Sequence, residues 1–239
     1  MRFKIFAKHP ELKYGFSEKA DGNMKLNGEP EFDKIIYHNR EVYFKKEGVS
    51  DKIYWPKINH TSAVEVVGEN GVSEGLNEYD ALIADKPNVF LAATAADCFL
   101  LYFYDPIKKA IGLAHAGWRG ILGGITKNTI SALRENFGSL PENILLGISP
   151  GIQVDHFFVR EDAIKQFEEY NKYISKKGPS YYINLPRIII EQAMAKSVKL
   201  GNIESSGECT FRDRDKYFSF RRDKPERLET MVGYIGKNE

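Results

Sequence analysis

Apolar residues in the middle of the chain cluster in runs that predict buried β-strands. Three such runs follow one another at residues 89–93, 99–104 and 110–114, and Asp105 and Pro106 interrupt the chain after the second. Continuous apolar runs of this length, bounded by turn signals, are typical of strands that are covered on both faces. These three segments therefore predict the centre of a buried sheet.

Shorter patterns predict further strands and three helices around this centre. Residues 120–138 have helical spacing, with Ile121, Ile125 and Leu133 on one face, whereas residues 69–79 are polar and glycine-rich and indicate a loop. The other predicted elements are strands at 41–44, 53–55, 61–68, 143–148 and 217–223 and helices at 161–174 and 185–200. Because the strands cluster and do not alternate strictly with helices, the pattern favours an α+β domain.

Composition is that of one soluble domain with no specialised partner surface. The 239 residues are 42% hydrophobic, and 34 basic against 33 acidic residues leave a net charge of +1. No linker or repeat divides the chain, so we predict a single domain over 1–239. The balanced charge favours small-molecule partners over nucleic acid, and we expect a monomer or weak homo-oligomer. Two cysteines, a charged start and no long apolar run predict a reduced, cytoplasmic protein with no membrane span.

Cys98, His115 and His60 are the candidate chemical groups, since each lies at the edge of a predicted strand. Two imidazoles and a thiolate from three strand ends can form an open zinc site with a position left for water or substrate. Separations of 38 and 17 residues are unlike those of compact structural zinc motifs. A small buried cysteine and a hydrogen-bonded core histidine are the alternatives for each residue taken alone.

A second candidate feature is an anion-binding turn. Gly117, Trp118, Arg119 and Gly120 open the helix predicted after residue 120. Backbone N–H groups at a helix start, with an arginine beside them, bind anions well. A glycine turn with a surface arginine is the alternative interpretation. On the strand predicted at 217–223, successive arginines would face opposite sides, so at most one would reach a site.

Six motifs together resemble the bacterial laccase-domain family, also called the multicopper polyphenol oxidase or YfiH-like purine nucleoside phosphorylase family. The sequence His-Ala-Gly-Trp-Arg-Gly at 115–120 is the same as the family motif, and Thr-Ala-Ala-Asp-Cys at 94–98 resembles its T-A-D-C. The other similar segments are 14–17, 79–84, 209–210 and 218–223. These motifs cover nearly the whole chain.

The resemblance implies a fold, a metal site and an activity. The fold is a single domain with mixed β-sheets layered between helices, in the order αββα. His60, Cys98 and His115 match the zinc ligands of the family, and copper is a possible alternative metal. The implied activity is phosphorolysis of purine nucleosides (adenosine, inosine and methylthioadenosine), with adenosine deamination as a companion reaction. Copper-dependent polyphenol oxidation and editing of peptidoglycan precursors are also associated with the family.

Further roles follow from this implied activity. Phosphorolysis needs a bound phosphate, for which Arg119 and the helix start after Gly117 are the candidates, with Lys19 and Arg221 as additional cations. Ser17 is a further candidate substrate contact. Asp97, next to the ligand Cys98, is a candidate acid or a residue that orients a ligand. The predicted catalytic residues are therefore Asp97, Cys98 and Arg119.

Several positions depart from the family pattern, and these departures affect substrate choice. Asp155 and His156 replace paired cysteines, and we predict that they form no second metal site because neighbouring residues on a strand diverge. Lys19 replaces an arginine, which exchanges a planar fork for a point charge. Ile58 and Asn59 precede the first ligand where the family has glutamine and valine, and a T-G-R segment after 223 is absent.

Three other functions remain open at this point. A multicopper oxidase needs closely paired histidines, and the five histidines at 9, 38, 60, 115 and 156 are not paired, although one copper could occupy the predicted site. A metal-free cysteine hydrolase would use Cys98 as nucleophile and His115 as base. A small-molecule binding protein would keep the pocket without turnover.

Overall fold

The computed structural model describes residues 1–49, 52–68, 71–72 and 78–238. The helices in these ranges are α1 Pro30–Glu47, α2 Trp118–Leu122, α3 Ile125–Phe137, α4 Glu161–Ile164, α5 Leu185–Ala195 and α6 Phe220–Asp223. The strands are β1 Leu12–Phe16, β2 Ile53–Tyr54, β3 Val64–Gly68, β4 Gly71–Val72, β5 Ala81–Ala84, β6 Phe90–Ala95, β7 Phe99–Asp105, β8 Ala110–Ala116, β9 Leu145–Ile148, β10 Phe158–Val159, β11 Ile174–Lys177, β12 Ser180–Ile183, β13 Ile203–Ser205 and β14 Met231–Lys237.

Two mixed β-sheets pack face to face, and helices cover their outer faces. The smaller sheet has the order β1-β14-β6-β2, the larger has the order β13-β9-β7-β8-β5-β3-β4, and β10, β12 and β11 form a small third sheet. Helix α1 packs on the outer face of the smaller sheet, and α2, α3 and α5 pack on that of the larger one. The layers therefore follow the order αββα, which confirms the predicted α+β class.

Strand β7 shows why the central runs are apolar at every position. Phe99, Leu101 and Phe103 belong to the core under the helices, whereas Leu100 and Tyr102 belong to the core between the sheets. Successive side chains of a strand point to opposite faces, so a strand with a core on each side needs apolar residues throughout. The strands predicted at 89–93, 99–104 and 110–114 are confirmed as β6, β7 and β8.

The strand order brings four strand ends to one edge of the larger sheet. Strands β7 and β8 are antiparallel, with Leu100 opposite His115. Strand β5 is antiparallel to β8 and parallel to β3. The starts of β3, β5 and β7 and the end of β8 therefore lie together. The residues that precede these starts include His60, Asp80 and Cys98, so one edge collects the polar groups of three loops.

The strand predicted at 41–44 is wrong, because these residues form the end of α1. Tyr43 and Phe44 are buried against the smaller sheet, and Ile36, which is also buried, lies seven and eight positions before them on the same helix face. Pro30 lies in the first turn, and Gly48 ends the helix in the left-handed conformation (φ 63°). Four residues, Glu41 followed by three apolar ones, are too few to distinguish a strand from one turn of a half-exposed helix.

The strand predicted at 217–223 is also wrong. Residues Phe220–Asp223 form the short helix α6, and the Ser219 hydroxyl caps it by accepting a hydrogen bond from the Arg222 backbone N–H. The Arg222 guanidinium donates to the carbonyl oxygens of Thr210, Phe211 and Tyr217. These bonds fold the segment against the preceding loop. Arg221 and Arg222 are therefore successive residues of a helical turn and do not point to opposite faces of a strand.

The other predicted elements are present with shifted ends. The helix predicted over 120–138 is divided into α2 and α3 at Gly124, which has a φ of 84°. The helix predicted at 161–174 is α4 followed by a 3-10 segment, Lys165–Tyr173, and that predicted at 185–200 ends with α5 at Ala195. Within the predicted loop at 69–79, Gly71–Val72 is the short strand β4, and 69–70 and 73–77 lie outside the described residues.

The extent of the domain, the compartment and the oligomeric state stay predictions. The first and last strands, β1 and β14, are neighbours in one sheet, which agrees with a single domain over 1–239. In the part of the chain that the structure describes, none of the helices is both long and apolar enough to span a bilayer.

Candidate metal centre

The structure brings together the three predicted metal ligands at this sheet edge. One ligand atom each from His60, Cys98 and His115 lies within 4.8 Å of the other two, and the two imidazole rings are 5.1 Å apart at their centroids. His115 is buried, Cys98 is half-buried and His60 is exposed, so the centre opens to solvent on the His60 side. Two imidazoles and one sulfur fit zinc, and they also fit copper.

Charges within the centre favour ionisation of the thiol. Burial raises the pKa of Cys98, but the charge of His115 and hydrogen bonds from both histidines outweigh it and lower the pKa to about 7. Burial likewise opposes the charged form of His115, but Cys98 and Asp80 raise the pKa of His115 to about 9. A metal binds the thiolate and the neutral imidazole, so binding at this centre is expected to release protons.

Asp80 contacts both histidine ligands, and it was not among the predicted site residues. Its carboxylate lies 2.9 Å from His115 Nδ1 and accepts backbone N–H groups from Asn59, His60 and Thr61. Burial opposes ionisation, but these donors outweigh it and hold the pKa of Asp80 below its ordinary value. The sequence does show an acidic residue directly before a buried strand. Only the sheet order shows that this residue lies beside both histidine ligands.

Gly117 leaves the space that the ligands occupy. A Cβ atom at this position would lie 2.8 Å from His60 Cδ2 and 3.1 Å from Cys98 Sγ. Distances below 3.0 Å require a neighbour to move, and here the neighbours are the ligands themselves. Gly117 also caps the start of α2, as predicted for the turn at 117–120. The glycine therefore fits a residue set that is packed around a metal centre.

Asp97 stabilises the turn that carries Cys98. It has a φ of 85°, a conformation that non-glycine residues adopt at a cost. Its carboxylate accepts hydrogen bonds from the Thr210 hydroxyl at 2.7 Å and from the Arg221 backbone N–H at 2.6 Å, and its carbonyl accepts the Ile152 N–H. The carboxylate on His115 is Asp80, so Asp97 serves the cysteine side of the centre.

The predicted anion contacts Arg119 and Arg221 have different surroundings. Arg119 is exposed, and its guanidinium lies 4.3 Å from the Trp118 ring centroid. The Arg221 guanidinium lies beside the rings of Phe157 and Phe158 and donates to the Phe158 carbonyl. Arg119 is therefore the freer of the two side chains, whereas contacts to β10 hold Arg221.

Lys19 and Ser17 follow β1 on the N-terminal side. Lys19 is exposed, with its ammonium 5.4 Å from the centroid of the Phe218 ring. Ser17 is fully buried, and its hydroxyl accepts a hydrogen bond from the Val232 N–H at 2.9 Å. The Ser17 side chain thus joins β1 to β14, while Lys19 keeps its charge at the surface.

Asp155 and His156 lie in a turn, not on the strand that the sequence suggested. Asp155 is exposed, and His156 stacks on Phe211 at 4.5 Å with its Nδ1 3.5 Å from Cys209 Sγ. Among the described residues, the group around Cys98 is the one cluster of at least three side chains close enough to share an ion. The absence of a second metal site at 155–156 stays a prediction.

The fold and the centre define a class of α+β domain with a His-Cys-His group at one sheet edge that can hold a metal ion. The chain belongs to the family described as multi-copper polyphenol oxidoreductase laccase, whose model matches residues 14–237. This match confirms the resemblance inferred from the motifs.

Named relatives and solved structures agree with the family. The chain is 31% identical over 181 residues to a purine nucleoside phosphorylase of Deinococcus radiodurans (74% of this chain, 69% of the relative) and 30% identical over 216 residues to one of Clostridium acetobutylicum (87% and 85%). It spans 44% of the human purine nucleoside phosphorylase LACC1, at 28% identity over 79% of this chain. The crystal structure of the Bacillus licheniformis protein YfiH superposes with a TM-score of 0.87 at 26% identity, covering 95% of this chain and 93% of that one.

Proposed function

We propose that the chain is a zinc-dependent purine nucleoside phosphorylase. The observation that carries the proposal is the convergence of His60, Cys98 and His115 in a chain whose relatives are named purine nucleoside phosphorylases. The reaction joins inorganic phosphate to the anomeric carbon of the sugar and releases the purine base. Adenosine, inosine and methylthioadenosine are the proposed nucleosides, and deamination of adenosine is a proposed companion reaction.

The three ligands share one task in this proposal, which is to hold the metal ion. His60, Cys98 and His115 would hold the ion, and Nε2 is the His115 nitrogen left for it because Nδ1 faces Asp80. Zinc, when bound, supplies a Lewis acid and lowers the pKa of a bound water to about 7. Gly117 keeps the space beside His60 and Cys98 free.

Arg119 is the proposed phosphate-binding residue. Arg119 follows Gly117 by two residues, and its exposed guanidinium is available to an oxyanion. A charge-assisted, bidentate contact from arginine suits phosphate geometry. Lys19 and Arg221 are further candidates for the same anion. Holding phosphate in line with the anomeric carbon is the main task that phosphorolysis gives these residues.

Asp97 is proposed to position Cys98 and not to act as the acid. One of its carboxylate oxygens binds Thr210 and the other binds the Arg221 backbone N–H. Both oxygens of this carboxylate are thus engaged in holding the turn that carries Cys98, and neither is left free to face a substrate. The proton for the departing purine therefore comes from another group or from solvent.

A metal-free cysteine hydrolase is the second candidate function. The pKa of Cys98, lowered to about 7 beside His115, favours it, because such a pair is an activated nucleophile.

Copper occupancy of the same ligands is a variant of the first proposal. Within the described residues, one His-Cys-His group can hold a single copper ion, which would make phenol oxidation incidental.

The test is an assay of purified protein with inosine, adenosine and methylthioadenosine, each with and without phosphate. The expected products with phosphate are the free purine and the sugar 1-phosphate, with about one zinc per chain. The Cys98→Ala variant should lose both metal and phosphorolysis, whereas Cys209→Ala, which removes the other cysteine, should keep the metal. Full activity of metal-free protein, abolished by alkylation of Cys98, would favour the hydrolase instead.

A further inference from the structure

Asp80 is a fully buried carboxylate at the start of β5, between the segments that supply the two histidine ligands. Its Oδ1 accepts the His60 backbone N–H and lies 2.9 Å from His115 Nδ1. Its Oδ2 accepts the backbone N–H groups of Asn59 and Thr61, both at 3.0 Å, and the Thr61 hydroxyl at 3.1 Å. One carboxylate therefore has five partners, and they belong to both histidine-bearing segments.

On the His115 side, the contact determines which ring nitrogen can reach a metal. A carboxylate beside Nδ1 keeps the proton on that nitrogen and leaves the Nε2 lone pair free. The backbone strengthens the arrangement, because the His115 N–H donates to the Asp80 carbonyl at 2.7 Å. The ring and the strand of His115 are thus both held by one residue.

On the His60 side, the contact holds a backbone conformation. His60 has a φ of 58°, which is unfavourable for a residue other than glycine. Three successive N–H groups, from Asn59 to Thr61, point at the Asp80 carboxylate. His60 is itself exposed, so these backbone bonds replace the packing that holds a buried ligand.

We propose that Asp80 is the positioning residue for both histidine ligands. This one side chain therefore determines how strongly two of the three ligands bind a metal. The inference rests on the metal site of the proposed function and adds a residue to it. Cys98 is positioned separately through Asp97. Loss of the Asp80 carboxylate is therefore expected to loosen His60 and His115 together and to leave Cys98 in place.

The test is a Co²⁺ titration of Asp80→Asn and of a matched control, Asp105→Asn. Both residues are buried aspartates that accept backbone N–H groups at an end of a strand in the larger sheet. Asp105 lies at the far end of β7, where it binds Ile107 and Lys108. We expect Asp80→Asn to weaken Co²⁺ binding by about ten- to a hundredfold. Asp105→Asn should lose stability and keep its Co²⁺ affinity within about twofold of the original protein.

Equal Co²⁺ affinities for Asp80→Asn and the original protein would overturn the inference. A loss of affinity in both variants, in proportion to their loss of stability, would also overturn it. If the original protein binds no Co²⁺, the metal site itself fails and the inference fails with it. If phosphorolysis is absent but Asp80→Asn alone weakens Co²⁺ binding, the proposed function fails and the inference stands.

A measurement on the original protein decides the matter even if Asp80→Asn does not fold. NMR of the zinc-loaded protein should show a protonated His115 Nδ1 with Nε2 bound to the metal. The amides of Asn59, His60 and Thr61 should be protected from hydrogen exchange, because they are bonded to a buried carboxylate. Binding of the metal through His115 Nδ1, or free exchange of these three amides, would contradict the inference.

Discussion

Thr210 donates its hydroxyl hydrogen to Asp97 at 2.7 Å, across 113 positions of sequence. Both residues are buried, and Asp97 directly precedes Cys98. The bond therefore fastens the turn of the cysteine ligand to the loop before α6. It links the stability of a loop far along the chain to the geometry of the candidate metal centre.

Replacing Thr210 with valine should both destabilise the fold and weaken metal binding. The variant keeps the shape of the side chain but leaves an Asp97 oxygen without its donor, which costs about 1–3 kcal/mol. Urea unfolding gives the loss of stability, and Co²⁺ titration gives the effect on the ligands. Thr129→Val is the control, because the Thr129 hydroxyl is also buried but bonds only the Ile125 carbonyl within α3. Similar losses of Co²⁺ affinity in both variants would argue against a specific role of the Thr210 bond.

Gly117→Ala should weaken metal binding more than it weakens the fold. The added methyl would meet His60 Cδ2 at 2.8 Å and Cys98 Sγ at 3.1 Å, so the ligands must separate to admit it. We expect at least a tenfold loss of Co²⁺ affinity, with a melting temperature change of a few degrees. Gly201→Ala serves as control, because its added methyl has no neighbour within 4 Å. Unchanged Co²⁺ affinity in Gly117→Ala would show that the ligands are not packed against this glycine.

Arg119→Ala should impair phosphorolysis more than deamination of adenosine. Phosphorolysis requires a bound anion, whereas deamination uses water. A hydrogen bond to a charged group contributes about 1.5–3 kcal/mol, so the loss of kcat/KM in phosphorolysis should be about ten- to a hundredfold. Arg134→Ala removes an exposed arginine from α3 and provides the comparison. If both reactions decline equally and the melting temperature falls, Arg119 has a structural role.

The parts of the fold that the sequence predicts well are those with the strongest local pattern. Strands β6, β7 and β8 are apolar at nearly every position because each lies between two cores: the core between the sheets, and the core under the helices that cover the strand's own sheet. Helix α1 was missed, because apolar residues lie on its exposed face as well as on its buried face: Ile35, Tyr37 and Val42 are exposed. Segment 217–223 was misassigned because Arg222 bonds distant carbonyls, which no local pattern records.

The candidate site could be predicted from the sequence motifs but not from the spacing of its residues along the chain. The triad was identified from its resemblance to a family, and the structure adds the reason that its members meet. The starts of β3 and β7 and the end of β8 share one edge only in the order β7-β8-β5-β3. The role of Asp80 depends on the same strand order, because its hydrogen-bond partners lie 19 to 35 positions away along the chain. A local sequence pattern does not show which strands are neighbours in a sheet. It therefore cannot reveal a role that depends on residues far apart along the chain.

Stability should depend on pH through Glu11, which lies away from the metal centre. Its Oε1 accepts hydrogen bonds from Lys109 Nζ and the Tyr104 hydroxyl, both at 2.7 Å, and these bonds lower the pKa of Glu11 to about 2. The folded protein therefore favours the ionised carboxylate relative to the unfolded chain. This stabilisation is complete above the unfolded pKa of about 4.3 and is lost as the pH falls through about 2.

Glu11→Gln should remove this contribution while keeping an acceptor for Tyr104. The Glu11 side chain is 27% exposed, so solvent screening limits the expected loss to about 1–2 kcal/mol at pH 7. Urea unfolding at pH 7, 4.5 and 3 should show a difference from the original protein that shrinks as the pH falls, because the unfolded chain binds a proton at Glu11 below about pH 4.3 whereas the folded protein keeps this carboxylate ionised down to about pH 2. Glu31→Gln removes an 87% exposed carboxylate beside Lys34 and should change stability by less than about 0.5 kcal/mol throughout. A difference between Glu11→Gln and the original protein that stays constant from pH 7 to pH 3 would mean that shape, and not charge, accounts for the effect of Glu11.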